Sequence, residues 1–223
     1  MDASSSLRRT QVWDLPTRLF HWSLVLLVIG AYTTAKWGLI TWHFRCGYAI
    51  LTLVLFRGAW GLVGSDTARF ATFVKTPLAA LRHLVRLGRR EPDREVGHNA
   101  AGGLMVLVLL VLLLIQTVTG LFANDGLFEE GPLAHMVGGA LSDTLTKWHA
   151  FNFDLIAVAV ALHVAAVFAY ALFKRQDLVR PMITGVKSLP STVPAPRMRP
   201  LLLALPLLAA AGALVWWIST LRA

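Results

Sequence analysis

The sequence predicts an all-α integral membrane protein, in which a four-helix transmembrane bundle is followed by an additional fifth transmembrane helix at the C-terminus. Of the 223 residues, 56% are hydrophobic, and the mean hydropathy of +0.62 is too high for an ordinary soluble domain. Five apolar runs have the length of about 20 residues that a spanning helix needs. The basic residues behind the net charge of +9 lie mainly in the loops between these runs, which indicates membrane orientation and argues against nucleic-acid binding.

The first two apolar runs cover about residues 19–39 and 42–63. Residues 1–18 are polar and basic, and the stretch from Asp14 to Thr17 has the composition of a helix start. The first run lacks a small-residue cleavage site and is too long for the apolar part of a signal peptide. We therefore interpret it as a spanning helix whose N-terminus lies inside.

The connection over residues 65–98 carries seven lysines and arginines against four acidic residues, so the positive-inside rule places it in the cytoplasm. Within it, residues 77–90 are amphipathic and are predicted to lie on the inner leaflet. The third run, about residues 99–122, contains no histidine. The loop over residues 123–146 has four acidic residues and no lysine or arginine, so we expect it outside.

The fourth run, about residues 147–173, returns to the inner side and is followed there by four basic residues, Lys174, Arg175, Arg180 and Lys187. A linker that contains proline and serine, residues 188–200, leads to the fifth run, about residues 201–221. The fifth run has no ionisable residue before Arg222, and we interpret it as an anchor or a cover that faces lipid. This topology places the N-terminus inside and the C-terminus outside.

Four histidines in or beside these runs form two sets at matched depths. His149 and His163 are fourteen residues apart, so they leave nearly the same face of one helix at a separation of roughly 21 Å along its axis. The topology places His43 at the depth of His149, near the outer surface, and His21 at the depth of His163, nearer the inner surface. Ionisable residues inside spans are costly and usually functional.

Two neutral imidazoles from different helices can ligate a haem iron on opposite faces, and they leave it able to pass electrons but not to bind oxygen. The chain has one cysteine, Cys46, so it cannot build the two-cysteine motif of covalent haem attachment. Zinc would need four clustered ligands, and the two histidine pairs are too far apart to form one such site. A di-iron bundle would need carboxylates on several helices, whereas the spans contain one carboxylate, Asp154. For any one histidine, a hydrogen-bonded interfacial role stays open.

Arginines and lysines near the spans are candidates for pairing with haem propionates. Arg57 follows His43 by fourteen residues, so it shares that helix face about 21 Å deeper and would serve an inner haem. The alternative for Arg57 is a side chain that reaches the inner membrane surface. Arg45 and Lys147 flank the outer histidines and are open to the same two interpretations.

Three histidines lie outside the two sets. We expect His83 to be solvated or at the lipid surface, and His135 to be an ordinary residue of the outer loop. His98 immediately precedes the third run, where a role in quinone binding and a plain position at a helix start both stay open.

Several segments carry a resemblance to a known family. They are Val12 to Trp22, Trp42-His43 with Leu55 to Gly64, Gly97 to Asn99, Thr119 to Phe122, Ala161 to Ala166, and Leu178 to Gly185. On these segments, from about residue 10 to residue 187, the chain resembles the bacterial cytochrome b561 family. It is most similar to the branch that includes the b-type cytochrome subunits of nickel–iron hydrogenases.

The resemblance implies a dihaem transmembrane domain over residues 10–187, and residues 188–223 add the linker and the extra helix. It implies two non-covalent haem b groups, on the pairs His21 with His163 and His43 with His149. It further implies electron transfer in two steps across the bacterial inner membrane, between a quinone and a periplasmic partner, either a c-type cytochrome or a hydrogenase. Two alternative functions stay open: the chain could be a stand-alone oxidoreductase acting on superoxide or quinone, or a haem-containing anchor subunit of a larger redox complex. Whether it forms a homodimer also stays open.

Overall fold

The fold is known from a computed structural model that describes residues 6–85, 95–126 and 129–221. Within these ranges, five helices are long and apolar enough to cross a membrane, which confirms the predicted helical membrane fold. They are α1 (Leu15–Lys36), α2 (Ile40–Val63), α5 (Ala100–Leu121), α6 (Gly139–Ala169, continued by a π-helical turn over Tyr170–Lys174) and α8 (Ala204–Ser219, preceded by a 3-10 turn over Leu201–Leu203).

Shorter elements connect these helices. They are the strands β1 (Leu7–Gln11) and β2 (Val186–Pro190), the helices α3 (Phe70–Phe73), α4 (Pro77–Val85) and α7 (Val179–Thr184), and a 3-10 turn over Ala134–Met136. Helix α4 corresponds to the first part of the amphipathic segment predicted over residues 77–90, and the rest of that segment lies outside the described residues.

Helix α6 begins earlier than hydropathy indicates. It starts at Gly139, eight residues before the predicted start at Lys147. The added turns are polar, and their hydroxyls bond back to the helix, with Thr144 donating to Ala140 O at 2.8 Å and Thr146 to Ser142 O at 2.9 Å. Hydropathy therefore located the apolar part of this helix and missed its polar extension, because a helix needs no apolar residues where it leaves the membrane.

The strands β1 and β2 form an antiparallel pair in which Leu7 lies opposite Pro190 and Gln11 opposite Val186. The sequence predicts no strand here: β1 lies in the polar, basic segment of residues 1–18, and β2 overlaps the start of the linker over residues 188–200. The pairing continues into Gly185, whose carbonyl accepts the N–H groups of Val12 and Trp13 at 2.8 and 3.1 Å. Gly185 has φ +82, and an added Cβ would lie 2.9 Å from Trp13 O, so both conformation and space favour glycine there.

The described chain forms two compact units, and α1, α2, α5 and α6 contribute residues to both. The first unit comprises Met1–Leu19, Ala59–Leu107 and Ala161–Ala204. It contains a small core in which Val12, Trp13 and Leu189 are buried. The linker is ordered within this unit: Asp66 Oδ2 accepts Arg197 N–H at 2.9 Å, and Ser65 Oγ accepts Arg199 N–H at 3.0 Å.

The second unit comprises Phe20–Gly58, Val108–Val160 and Leu205–Ala223. One of its cores contains Val215 of α8, which is 2% exposed and clusters with Leu51 and Leu121. The interpretation of the fifth run as merely an anchor or a lipid-facing cover was therefore incomplete. One face of α8 belongs to a core, while Trp216 and Trp217 on other faces are exposed.

Asp14 organises the start of α1 within the first unit. Its Oδ1 accepts the N–H of Thr17 at 2.8 Å and so caps the helix start that the sequence predicts over these residues. Its Oδ2 accepts the indole N–H of Trp60 at 3.0 Å. Asp14 is 2% exposed and Trp60 is fully buried, so this bond joins α1 to α2 where a lost partner would be costly.

We expect Trp60→Phe to destabilise the folded protein by about 1–3 kcal/mol, since it removes a donor from a buried carboxylate and also removes buried ring volume. The measurement is the melting temperature of the detergent-purified protein, with Trp37→Phe as the control because Trp37 is 75% exposed. Equal melting temperatures for the two variants would contradict this role of the Asp14–Trp60 bond.

Candidate haem-binding site

Two of the predicted ligands lie together in the second unit. His43 is on the first turn of α2 and His149 is on α6. Their ring centroids are 6.0 Å apart, and the ring planes are inclined by 83°. Both side chains are half-buried and both line one cavity. The two rings are thus close enough to face one metal atom between them.

Backbone carbonyls determine which ring nitrogen of each histidine carries the proton. Nδ1 of His43 lies 2.9 Å from Ala31 O, and Nδ1 of His149 lies 2.9 Å from Gln116 O. A carbonyl oxygen can only accept a hydrogen bond, so each Nδ1 must donate. Each neutral ring then has its lone pair on Nε2, and this is how metal-binding imidazoles are commonly oriented.

The cavity has a volume of about 770 Å³, within the range of sites that enclose a cofactor or small ligand. Its lining comes from α1, α2, α5, α6 and the loop after α5. Gly47, one turn after His43, also lines it, and a Cβ added to Gly47 would meet no atom within 4 Å. The space beside His43 is therefore open enough for a flat group.

The separation of the two rings suits one metal atom between them. A bond from an imidazole nitrogen to a metal is about 2 Å long, and two such bonds account for much of the 6.0 Å between ring centroids. In the described part of the chain, no three His, Cys, Asp or Glu side chains are grouped so as to hold a metal ion. A pair of histidines alone would suit a haem iron, whose remaining ligands would come from the porphyrin.

Gly120 of α5 is a site residue that the sequence reasoning did not identify, although it lies in one of the segments that carry the family resemblance. A Cβ at this position would lie 2.9 Å from Cε1 and 3.2 Å from Nδ1 of the His149 ring. Real Cβ atoms essentially never approach an atom that closely. The absent side chain therefore lets the His149 ring reach Gln116 O.

A buried amide pair holds α5 against α6 beside this ring. Asn152, which is 2% exposed, donates through Nδ2 to Gln116 Oε1 at 2.7 Å and to Leu112 O at 2.9 Å. Gln116 thus contributes its backbone carbonyl to His149 and its side chain to Asn152. Because these bonds lie in the membrane-spanning part, they satisfy polar groups that lipid could not.

The cation that lines the cavity, Lys36, is not one of those that the sequence suggests for pairing with haem propionates. Among the described residues that line it, the one lysine or arginine is Lys36, at the end of α1. Its Nζ lies 5.7 Å from the ring centroid of Tyr32, and that ring is stacked on Phe153 of α6 at 5.2 Å. Arg45 instead lies over the Trp42 ring at 4.6 Å.

The other predicted site residues are His21, His163 and Arg57. His21 belongs to the second unit and His163 to the first, so their pairing stays a prediction. Arg57, in the second unit, is 2% exposed. Such burial does not fit a side chain that reaches the membrane surface along the outside of α2. It fits a guanidinium held inside the protein, where a charge needs a partner.

The structure corrects the expectation for His83 and refines that for His98. His83 was expected to be solvated or at the lipid surface, but its Nε2 lies 2.5 Å from the hydroxyl of Tyr170. The His98 ring lies between those of Trp13 and Phe73, at centroid distances of 4.6 and 4.7 Å. No local pattern could have revealed these contacts, since their partners are distant in the sequence.

We expect Gly120→Ala to push the His149 ring away from Gln116 O and to lower the amount of haem that the purified protein retains. The measurement is the reduced-minus-oxidised absorbance spectrum per mole of protein. Gly138→Ala is the control, because a Cβ at Gly138 would meet no atom within 4 Å. Full haem content in Gly120→Ala would contradict the proposed importance of this contact.

Comparison with known proteins identifies the family. Residues 12–185 match the family described as prokaryotic cytochrome b561. The chain is 27% identical over 208 residues to the "Probable Ni/Fe-hydrogenase B-type cytochrome subunit" of Azotobacter vinelandii, covering 78% of this chain and 86% of that protein. It is 25% identical over 223 residues to the protein of the same description from Cupriavidus necator, covering 83% and 90%. No solved structure matches the chain.

Because the family match covers residues 12–185, the chain belongs to the prokaryotic cytochrome b561 family. It is a multi-pass membrane cytochrome of the b type, a haem protein of electron transport.

Proposed function

We propose that the protein carries electrons across the bacterial inner membrane between a periplasmic redox partner and the quinone pool. The proposal assigns two non-covalent haem b groups to the chain, one on His43 with His149 and the other on His21 with His163. The observation that carries it is the His43–His149 pair, with both Nδ1 atoms bonded to backbone carbonyls and both rings lining one cavity.

When bound, haem b supplies an iron that gains or loses a single electron. The contribution of the chain is to hold two imidazoles in one tautomer and one orientation. Two histidine ligands leave the iron without an open position, which favours electron transfer over oxygen binding. The carbonyls of Ala31 and Gln116 keep the rings in place without adding a charge to the cavity.

Cations of the chain would pair with the propionates. We assign Lys36 to the group held by His43 and His149, since it lines their cavity. Arg57 is assigned to the group held by His21 and His163, as the helical spacing suggested. Its 2% exposure supports an internal role.

The charge pattern of the loops supports a definite orientation. The basic connection over residues 65–98 and the basic residues after α6 would face the cytoplasm, and the acidic loop over residues 123–146 the periplasm. The N-terminus would then be cytoplasmic and the C-terminus periplasmic. In this orientation His43 and His149 serve the periplasmic partner, and His21 and His163 serve quinone.

The names of the relatives suggest the partner. Each is described as a probable cytochrome subunit of a nickel–iron hydrogenase, so we propose a hydrogenase as the periplasmic partner, with a c-type cytochrome as the alternative. The word "subunit" in those descriptions favours a protein that works with a partner over one that acts alone on a small molecule.

We expect two low-spin b haems per chain in detergent-purified protein. His43→Ala and His149→Ala should each remove one haem, because either change breaks the same pair. His135→Ala should keep both, since His135 is an exposed residue of the loop. The measurement is haem per protein with the reduced-minus-oxidised spectrum. A wild-type protein without haem, from a haem-replete host, would overturn the assignment of these histidines.

We further expect His163→Ala to abolish electron transfer across the membrane while the spectrum of the haem on His43 and His149 persists. The assay is reduction of a quinone analogue by vesicle-reconstituted protein, with electrons supplied on the opposite side. Unchanged transfer in this variant would exclude a relay through two histidine pairs.

A further inference from the structure

Three polar side chains in the first unit form a hydrogen-bonded cluster that contains none of the proposed haem ligands. We call His83, Asn99 and Tyr170 the Tyr170 cluster. His83 lies on α4, Asn99 immediately precedes α5, and Tyr170 begins the π-helical turn that continues α6. The hydroxyl of Tyr170 lies 2.5 Å from His83 Nε2 and 2.8 Å from Asn99 Nδ2.

The helix cap at α5 determines how Asn99 is oriented. Its Oδ1 accepts the N–H of Gly102 at 2.8 Å, so the other amide atom that faces Tyr170 must be Nδ2, a donor. The phenolic oxygen therefore accepts one bond from Asn99. Its own hydrogen remains available for donation, and the neighbouring imidazole nitrogen can accept or donate.

The cluster joins a buried group to a more accessible one. Tyr170 is 6% exposed, whereas His83 is half-buried on a short amphipathic helix. Titratable groups that contact Tyr170 include His83 from α4, and Lys174 from the π turn, whose Nζ lies 5.5 Å from the ring centroid. An imidazole beside a buried phenol is suited to passing a proton at neutral pH.

The position of Tyr170 links the cluster to the inner redox centre of the proposed function. Tyr170 follows His163 by seven residues on the same helix, which is two turns less about 20° and roughly 10 Å along the axis. The regular helix changes to a π turn at Tyr170, and such turns occur frequently at functional sites.

We propose that His83 and Tyr170 form a proton relay for quinone chemistry on the cytoplasmic side. Reducing a quinone to a quinol consumes two electrons, supplied in the proposed function by the periplasmic partner, and two protons, supplied by water. For each proton, protonated His83 passes its Nε2–H to Tyr170 O while the Tyr170 hydroxyl passes its own hydrogen to a quinone oxygen, and the neutral His83 that remains takes up a proton from water. Quinol oxidation runs the same sequence in reverse. This inference rests on the proposed function.

Tyr170→Phe tests the relay because it removes the hydroxyl and keeps the ring. A water-soluble quinol analogue should reduce the haem about a hundredfold more slowly in the variant, the size expected for a lost proton-transfer group. A change in the solvent deuterium isotope effect should accompany the slowing. Reduction by dithionite and oxidation by ferricyanide should be unchanged, since these reagents exchange electrons with the haem and require no proton from the relay.

A second variant separates proton transfer from structural support. His83→Gln retains a side chain that can hydrogen-bond to Tyr170 but cannot carry a proton, so it should be slow with quinol and normal with dithionite. In His83→Ala, added imidazole should restore much of the quinol rate. His135→Gln is the matched control and should behave as wild type. If Tyr170→Phe loses haem, His83→Gln decides the question.

Wild-type rates with quinol in both Tyr170→Phe and His83→Gln would overturn the relay alone. Equal slowing with quinol and with dithionite would also overturn it, because the cluster would then be structural. A wild-type protein that exchanges no electrons with quinol would overturn the quinone part of the proposed function, and the relay with it.

Discussion

The geometry of the histidine pair in the second unit depends on two backbone carbonyls. Ala31 and Gln116 lie on helices, and their carbonyl oxygens accept the Nδ1–H of His43 and of His149. A side-chain acceptor could rotate away or carry a charge into the membrane, whereas a helical carbonyl does neither. The small residue at Gly120 follows from this constraint, because the His149 ring reaches its carbonyl only where α5 has no side chain.

Buried polar side chains elsewhere in the chain also find their hydrogen-bond partners within the protein. Asp14 divides its carboxylate between a helix cap and the Trp60 indole, and Asn152 divides its amide N–H groups between Leu112 O and Gln116 Oε1. Lipid offers no hydrogen bonds, so each such group must find its partners within the protein. Hydrogen bonds of this kind fix the position of one helix relative to its neighbour along the helix axis. A metal site whose ligands come from two helices requires such fixed positions.

The two units offer different chemistry. The second holds a histidine pair beside a large cavity, with polar contacts that orient the rings. The first holds the Tyr170 cluster, in which a phenol, an imidazole and an amide are joined by short hydrogen bonds. Under the proposed function the histidine pair suits an exchange of electrons alone with a protein partner. The Tyr170 cluster suits an exchange of electrons together with protons. Quinone chemistry needs both kinds of transfer, so one chain would couple them.

The sequence by itself determined the membrane class, the five spans, the cap at Asp14 and the family, because hydropathy, the helical period and capping are properties of neighbouring residues. The topology that follows from hydropathy and loop charge indicated that His43 and His149 lie at one depth. Only the tertiary structure decided that Nδ1 of each ring meets a backbone carbonyl, that Lys36 lines the cavity, and that His83 contacts Tyr170. It also decided the pairing of β1 with β2 and the packing of α8 in a core. Each of these depends on contacts between residues far apart in the chain, and such contacts leave no local periodic trace.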